Sequence, residues 1–213
     1  MAVRRFGIIT EADARLVEPG STVELERGGH VTPLAQDTLR ARRVTVVPAG
    51  SVDPAVPADL APVFPVTRVV IGCDHSGIDL KKLLVDKLRR AAIAVNDVGT
   101  DTKDAVDYPD IASTVARAVT RKEADAGIVI DGAGLGSAIA ANKVKGARAA
   151  MCTTPTLARY AREHNGANVL ALGATLVSAT EAVEIVEMFL TTPTKEPRYL
   201  RRLLKVRRLE EMF

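Results

Sequence analysis

The chain has 213 residues, of which 47% are hydrophobic and 26% charged, with a net charge of +3 at pH 7. That length supports one or two domains with a buried core, and no apolar run approaches the roughly 20 residues of a membrane-spanning helix. An aromatic content of 3%, with no tryptophan, argues against base-stacking platforms, so neither a membrane nor a nucleic acid is the expected partner.

In chain order, Met1-Ala-Val-Arg-Arg-Phe lacks the apolar core and cleavage site of a secretory signal. Residues 1–47 read as a small α/β unit. Residues 6–9 form a short strand. Thr10 and Asp13 have the spacing of a capping box, with Asp in the place of Glu. Residues 21–25 alternate as a second strand. His30 follows in a Gly-Gly-His turn and is expected to be solvated. Thr32 and Pro33 supply an N-cap and a first helical residue. That helix runs through Leu34, Leu39 and Arg42 into a strand over 44–47. Five prolines stand between Pro48 and Pro65, both included, and make residues 48–66 a stiff, extended linker.

From Thr67 strands and helices alternate. Strands are predicted over 68–73, 94–98, 126–130, 147–152 and 169–172. Helices are predicted over 80–91, 111–122, 137–143, 155–164 and 180–190. Repeated β-α units of this length specify a parallel five-stranded sheet with helices on both faces, in a domain spanning 67–213. A basic amphipathic helix over 197–212 closes the chain. Two cysteines, Cys73 and Cys152, are too few for a disulfide framework and fit a reducing cytoplasm.

The most informative stretch is 124–142. A buried apolar strand ends in Asp131, followed by Gly132, Ala133, Gly134, Leu135 and Gly136 and then a helix-competent run from Ser137. A carboxylate beside uncovered backbone amides and a helix amino terminus can take a proton from carbon and hold the resulting oxyanion. The glycine spacing is G-x-G-x-G, and Asp131 would repel a pyrophosphate, so a dinucleotide site is disfavoured.

Other candidates each carry a plainer alternative. Asp74 and His75 follow a strand end, where Asp74 or Ser76 could simply cap the next helix. Tyr108 could orient a substrate hydroxyl or belong to a proline turn before the helix from Ile111. His164 closes a helix, either as a dipole-stabilised cap residue or, if it faces the same cleft as Asp131, as a functional group. Arg198 and Arg202 share a helix face. They form a phosphate clamp or a solvated basic face, with nucleic-acid binding a third option.

Taken in order, Gly72-Cys-Asp-His, Asp107-Tyr-Pro, the glycine loop with Ala140-Ala-Asn-Lys, Arg162-Glu-His-Asn and the terminal arginine pair closely resemble the ribose-5-phosphate isomerase B family, which includes the galactose-6-phosphate isomerase subunits. The resemblance covers about residues 68–205. It implies a Rossmann-like fold, a homodimer or tetramer with sites shared between subunits, and aldose–ketose interconversion of a sugar phosphate through a cis-enediolate, without metal or cofactor. It also implies that Asp74 and His75 bind the sugar phosphate and that Tyr108 lines the pocket. His164 would assist ring opening, Asn142 and Asn165 would bind substrate, and Arg198 and Arg202 would hold the phosphate. Gly132, Ala133, Gly134 and Gly136, in the loop from Gly132 to Ser137, would contribute to the oxyanion hole.

Many members carry a cysteine base where this chain has Asp131, and others a glutamate where it has Ser137. The threonine often found in the loop is Ala133 here, and an arginine after the fifth strand is replaced by Thr175. Asp131 is therefore expected to act as base, with Ser137 and His164 completing the catalytic set. Ribose 5-phosphate is the leading substrate, with galactose 6-phosphate or a tetrulose phosphate as alternatives. A non-catalytic phosphosugar-binding or scaffold protein is the competing class. The first 47 residues, with Ile-Thr-Glu-Ala-Asp, Val31-Thr-Pro-Leu-Ala and Arg40-Ala-Arg-Arg-Val, resemble amino-terminal segments of enzymes packaged in bacterial microcompartments. They imply either docking to shell or cargo proteins, with the cytoplasmic enzyme placed inside a microcompartment, or a stabilising appendage.

Overall fold

The computed structural model describes residues 4–49, 57 and 60–212. The chain divides into two compact units, Met1–Ala58 and Asp59–Phe213. The first contains β1 (Arg5–Ile9), α1 (Glu11–Leu16), β2 (Thr22–Val31), α2 (Pro33–Ala41) and β3 (Thr45–Pro48), with the strands parallel in the order β1-β2-β3. Thr10 and Asp13 form the capping box reciprocally. Ile9, Ala14, Val17, Val23, Ala35, Leu39 and Val44 make the core. His30 is exposed, as expected, but it lies in β2 opposite Ile8 and not in a turn. Gly28 at φ 84° and a register shift between Phe6 and Ile8 let the strand pass through the two glycines and resume pairing.

The second unit contains β4 (Arg68–Cys73), α3 (Ile78–Arg90), β5 (Ala94–Asp97), α4 (Tyr108–Thr120), β6 (Ala126–Asp131), α5 (Leu135–Ala141), β7 (Ala149–Met151), α6 (Pro155–Glu163), β8 (Val169–Gly173), α7 (Ala179–Thr191) and α8 (Pro197–Glu210). The five strands are parallel, in the order β5-β4-β6-β8-β7. Period-two alternation divides each central strand between two cores. Val69, Ile71, Ile128, Ile130, Leu170 and Leu172 pack with α3, α6 and α7. Val70, Val129, Val169 and Ala171 pack with α4 and α5 on the other face. Burying each such side chain contributes about 1.5–3 kcal/mol relative to leaving it exposed.

Of the boundaries that differ from the sequence reading, three bear on the site or its edge. Tyr108 is the first residue of α4 and not part of a preceding loop, because Pro109 is compatible with a helix's first turn. Helix α5 begins at Leu135, directly after the left-handed Gly134. The edge strand β7 is only three residues long. Within the expected linker, residues 50–56, 58 and 59 lie outside the described residues. Residues 60–66 belong to the second unit. Leu60 is buried, its carbonyl accepts from Arg148 Nη2 at 3.2 Å, and the Val63 carbonyl accepts from Arg162 Nη2 at 3.1 Å.

Candidate active site

Strand order reverses between β4 and β6, so their carboxyl ends border the crevice where open α/β sheets bind ligands. Asp74 directly follows β4 and Asp131 ends β6. The Asp74 carboxylate accepts from the Ser76 amide at 2.9 Å and the Ser76 hydroxyl at 2.5 Å, fixing the turn into α3. Ser76 Oγ stands 3.8 Å from where a Cβ on Gly132 would lie, so the β4 and β6 loops face each other. His75 is exposed on this turn.

The carboxylate of Asp131 is buried and folded into the loop that follows it. Oδ1 accepts from the Ala133 amide at 2.8 Å and from the Gly134 amide, and Oδ2 accepts from the Ser137 amide at 2.9 Å. Gly134 makes this possible at φ 75°, where a Cβ would also stand 2.9 Å from the Leu172 backbone. Thr175 pins the outer edge, with its amide and hydroxyl both donating to the Gly132 carbonyl, the hydroxyl at 2.7 Å. The Tyr108 ring covers the loop: a Cβ on Gly136 would lie 2.6 Å from Tyr108 Cζ. The Ser137 hydroxyl is fully buried without a hydrogen-bond partner. Asp74, His75, Tyr108, Asp131 and Ser137 thus share one crevice.

The remaining candidates line or border a separate groove of about 640 Å³ along the edge strand β7, bordered by Met151, Tyr160, His164, Asn165, Arg202 and Val206. His164 caps α6, its ring stacked on Tyr160 with centroids 4.7 Å apart and planes at 15°. The His164 ring also meets the Tyr199 ring, with centroids 4.4 Å apart and planes at 38°. The guanidinium carbons of Arg198 and Arg202 stand 4.7 and 5.9 Å from the Tyr199 centroid, so the two arginines do share a face. Sequence reasoning missed Tyr160 and Tyr199, although with Tyr108 they are all three tyrosines of the chain.

One subunit does not unite the two sets. His164 and Asn165 precede β8 at the amino edge of the sheet, whereas Asp131 pairs with Gly173 at the carboxyl end of β8. The four steps from Val169 to Gly173 alone span roughly 13 Å. Asn142 holds structure: its side-chain amide donates to the Ala138 and Ala149 carbonyls and accepts from the Ala149 amide, tying α5 to β7. Arg162 is also structural, with its guanidinium buried against the Ala167 and Val63 carbonyls, and burial pushes it down to about 10. Burial pushes the thiols of Cys73 and Cys152 up to about 11, which leaves neither equipped as a base at neutral pH.

A doubly wound sheet with two carboxylates, a tyrosine and a glycine loop whose amides converge on Asp131 at its switch point defines an α/β enzyme class acting on small metabolites. Residues 69–206 match the model of the family described as Ribose/Galactose Isomerase. Ribose-5-phosphate isomerase B of Escherichia coli is 40% identical over 144 residues, covering 68% of this chain and 97% of that protein. The Clostridium thermocellum ribose-5-phosphate isomerase B structure has 45% identity and a TM-score of 0.67, covering 68% of this chain and 98% of that one. The Mycoplasma genitalium ribose-5-phosphate isomerase B structure, with bound ribulose-5-phosphate, has 39% identity and a TM-score of 0.66 over 68% of this chain and 97% of that one. The chain belongs to the ribose/galactose isomerase family and is an isomerase.

Proposed function

We propose that the protein interconverts ribose 5-phosphate and ribulose 5-phosphate with Asp131 as the base. The observation that carries this reading is the buried Asp131 carboxylate at the end of β6 among three amide donors. Each carboxylate oxygen offers two lone pairs. Oδ1 uses both on Ala133 and Gly134, whereas Oδ2 uses one on Ser137 and keeps one to receive a proton. A desolvated carboxylate is a competent base toward a carbon beside a carbonyl.

Oδ2 takes the proton from C2 of the open-chain aldose. The C2–H electrons form the C1–C2 double bond and the charge passes to O1. Asp131, now neutral, holds the amides of Ala133, Gly134 and Ser137 less strongly, and these pass to the enediolate oxygen. Asp131 then returns the proton to C1, while the hydroxyl proton on O2 moves to O1. Asp74, His75 and Tyr108 orient the sugar, and Arg198 and Arg202 take its phosphate.

His164, Asn165 and the arginines reach this crevice from a second copy of the chain. The support for a shared site is the separation of the two residue sets along β8. A coupled assay on ribose 5-phosphate, galactose 6-phosphate and tetrulose phosphate tests the reading. Turnover of ribose 5-phosphate above the others is expected; binding of all three with turnover of none would contradict it.

For the first unit we propose docking to microcompartment shell or cargo proteins. Support comes from its compactness, its position outside residues 69–206, and the exposure of Ile8, Leu16 and Leu34. Removing residues 1–58 should leave the isomerase kinetics intact and abolish co-sedimentation with shells; unchanged co-sedimentation would refute docking.

A further inference from the structure

We propose that Tyr160 and Tyr199 are positioning residues that hold the His164 imidazole edge-on to the sugar for ring opening, an inference that rests on the isomerase reading above. The imidazole is stacked on Tyr160, nearly parallel at 15° with centroids 4.7 Å apart, and also meets Tyr199, tilted at 38° with centroids 4.4 Å apart. Two ring contacts at these distances restrict how the imidazole can turn, and its Nε2 edge, 3.8 Å from Glu163 Oε2, is the part that carries the polar group. Tyr199 is buried and has a packing reason to be there. Tyr160 is 41% exposed beside the groove, so core packing does not account for its parallel contact with the histidine.

The Tyr199 ring also fixes the arginines. Arg198 Nη2 donates to Tyr199 Oη at 2.8 Å, and both guanidiniums lie over the same ring. One aromatic side chain therefore sets the spacing between the imidazole and the phosphate grip. A sugar phosphate anchored by Arg198 and Arg202 would present its ring oxygen to an imidazole that is already oriented. Glu163 Oε2, 3.8 Å from His164 Nε2, is the carboxylate on the same edge.

Ring opening matters only for the cyclic aldose, since ribulose 5-phosphate has its terminal oxygen esterified and stays acyclic. Positioning of His164 is thus separable from proton transfer at carbon. The test compares Tyr160→Ala, Tyr160→Phe and Tyr199→Phe in the full-length protein. Two rates are read for each: isomerisation of ribose 5-phosphate, and exchange of solvent deuterium into ribulose 5-phosphate.

Tyr160→Ala should lower kcat from the aldose by about tenfold or more, a typical cost of lost orientation, while the exchange rate stays at the wild-type level. Tyr160→Phe keeps the stacked ring and should keep both rates, whereas Tyr199→Phe keeps its ring against the imidazole but loses the Arg198 hydrogen bond and should raise KM for both sugars with little change in kcat. Full aldose turnover in Tyr160→Ala, or an equal loss of both rates, would overturn the inference. A wild-type protein that neither isomerises nor exchanges would instead overturn the isomerase reading, and this inference with it.

Discussion

The Ser137 amide donates to Asp131 Oδ2 at 2.9 Å, so the proposed base is held by the residue that opens the buried face of α5. The same serine carries a buried hydroxyl that has no partner. An unsatisfied buried hydroxyl costs about 1–3 kcal/mol. Ser137→Ala should therefore raise the unfolding free energy by about 1 kcal/mol, read by urea denaturation. If the hydroxyl serves the substrate, the same variant should lose turnover while gaining stability.

Gly136 and Tyr108 test how the crevice is closed. A methyl at Gly136 would stand 2.6 Å from Tyr108 Cζ, and the exposed phenol is the part free to move. Gly136→Ala should displace the ring, raise KM, and cost about 1–3 kcal/mol of stability, the usual range for overpacking. Substrate titration and thermal unfolding of one sample check both effects.

Acid stability should depend on Asp125. Burial pushes this carboxyl up, but the Arg68 guanidinium at 2.7 Å and the Thr67 and Arg68 amides together bring it below 3.8. Because the folded value lies below the unfolded one, the stabilisation is present above the unfolded value and is lost as pH falls through the folded one. Asp101, lowered by its hydrogen bond to Lys81, acts in the same sense. Unfolding free energy should fall as pH drops below 3.8, and Asp125→Asn should make that acid limb shallower while lowering stability at neutral pH.

The thiols should be silent. Burial pushes both Cys73 and Cys152 up to about 11, with Lys81 partly opposing the shift at Cys73. Iodoacetamide at pH 7 should label neither in the native protein and both after denaturation, with native activity unchanged. Rapid native labelling accompanied by loss of activity would point to a thiol base.

Much of this arrangement was legible in the residues. The unbroken apolar runs Val69-Val70-Ile71 and Ile128-Val129-Ile130 announced strands buried on both faces, and the order strand, acid, glycines, helix located the Asp131 loop at the carboxyl edge. Thr10 and Asp13 marked a helix start by spacing alone. His30 was misread because two glycines punctuate a turn locally, whereas pairing with β1 carries the strand through them. The engagement of Asp131 with its own loop was not legible, since it depends on the left-handed backbone at Gly134. Nor was the Tyr199 contact with His164, because Tyr199 arrives on a separate helix and only packing brings them together.

Asp131→Asn is the decisive variant, followed by NMR for deuterium exchange at C1 of ribulose 5-phosphate and by calorimetry for sugar-phosphate binding. Exchange should fall by about 10²-fold or more while binding persists. Exchange at the wild-type rate in that variant would contradict the role of Asp131 as base.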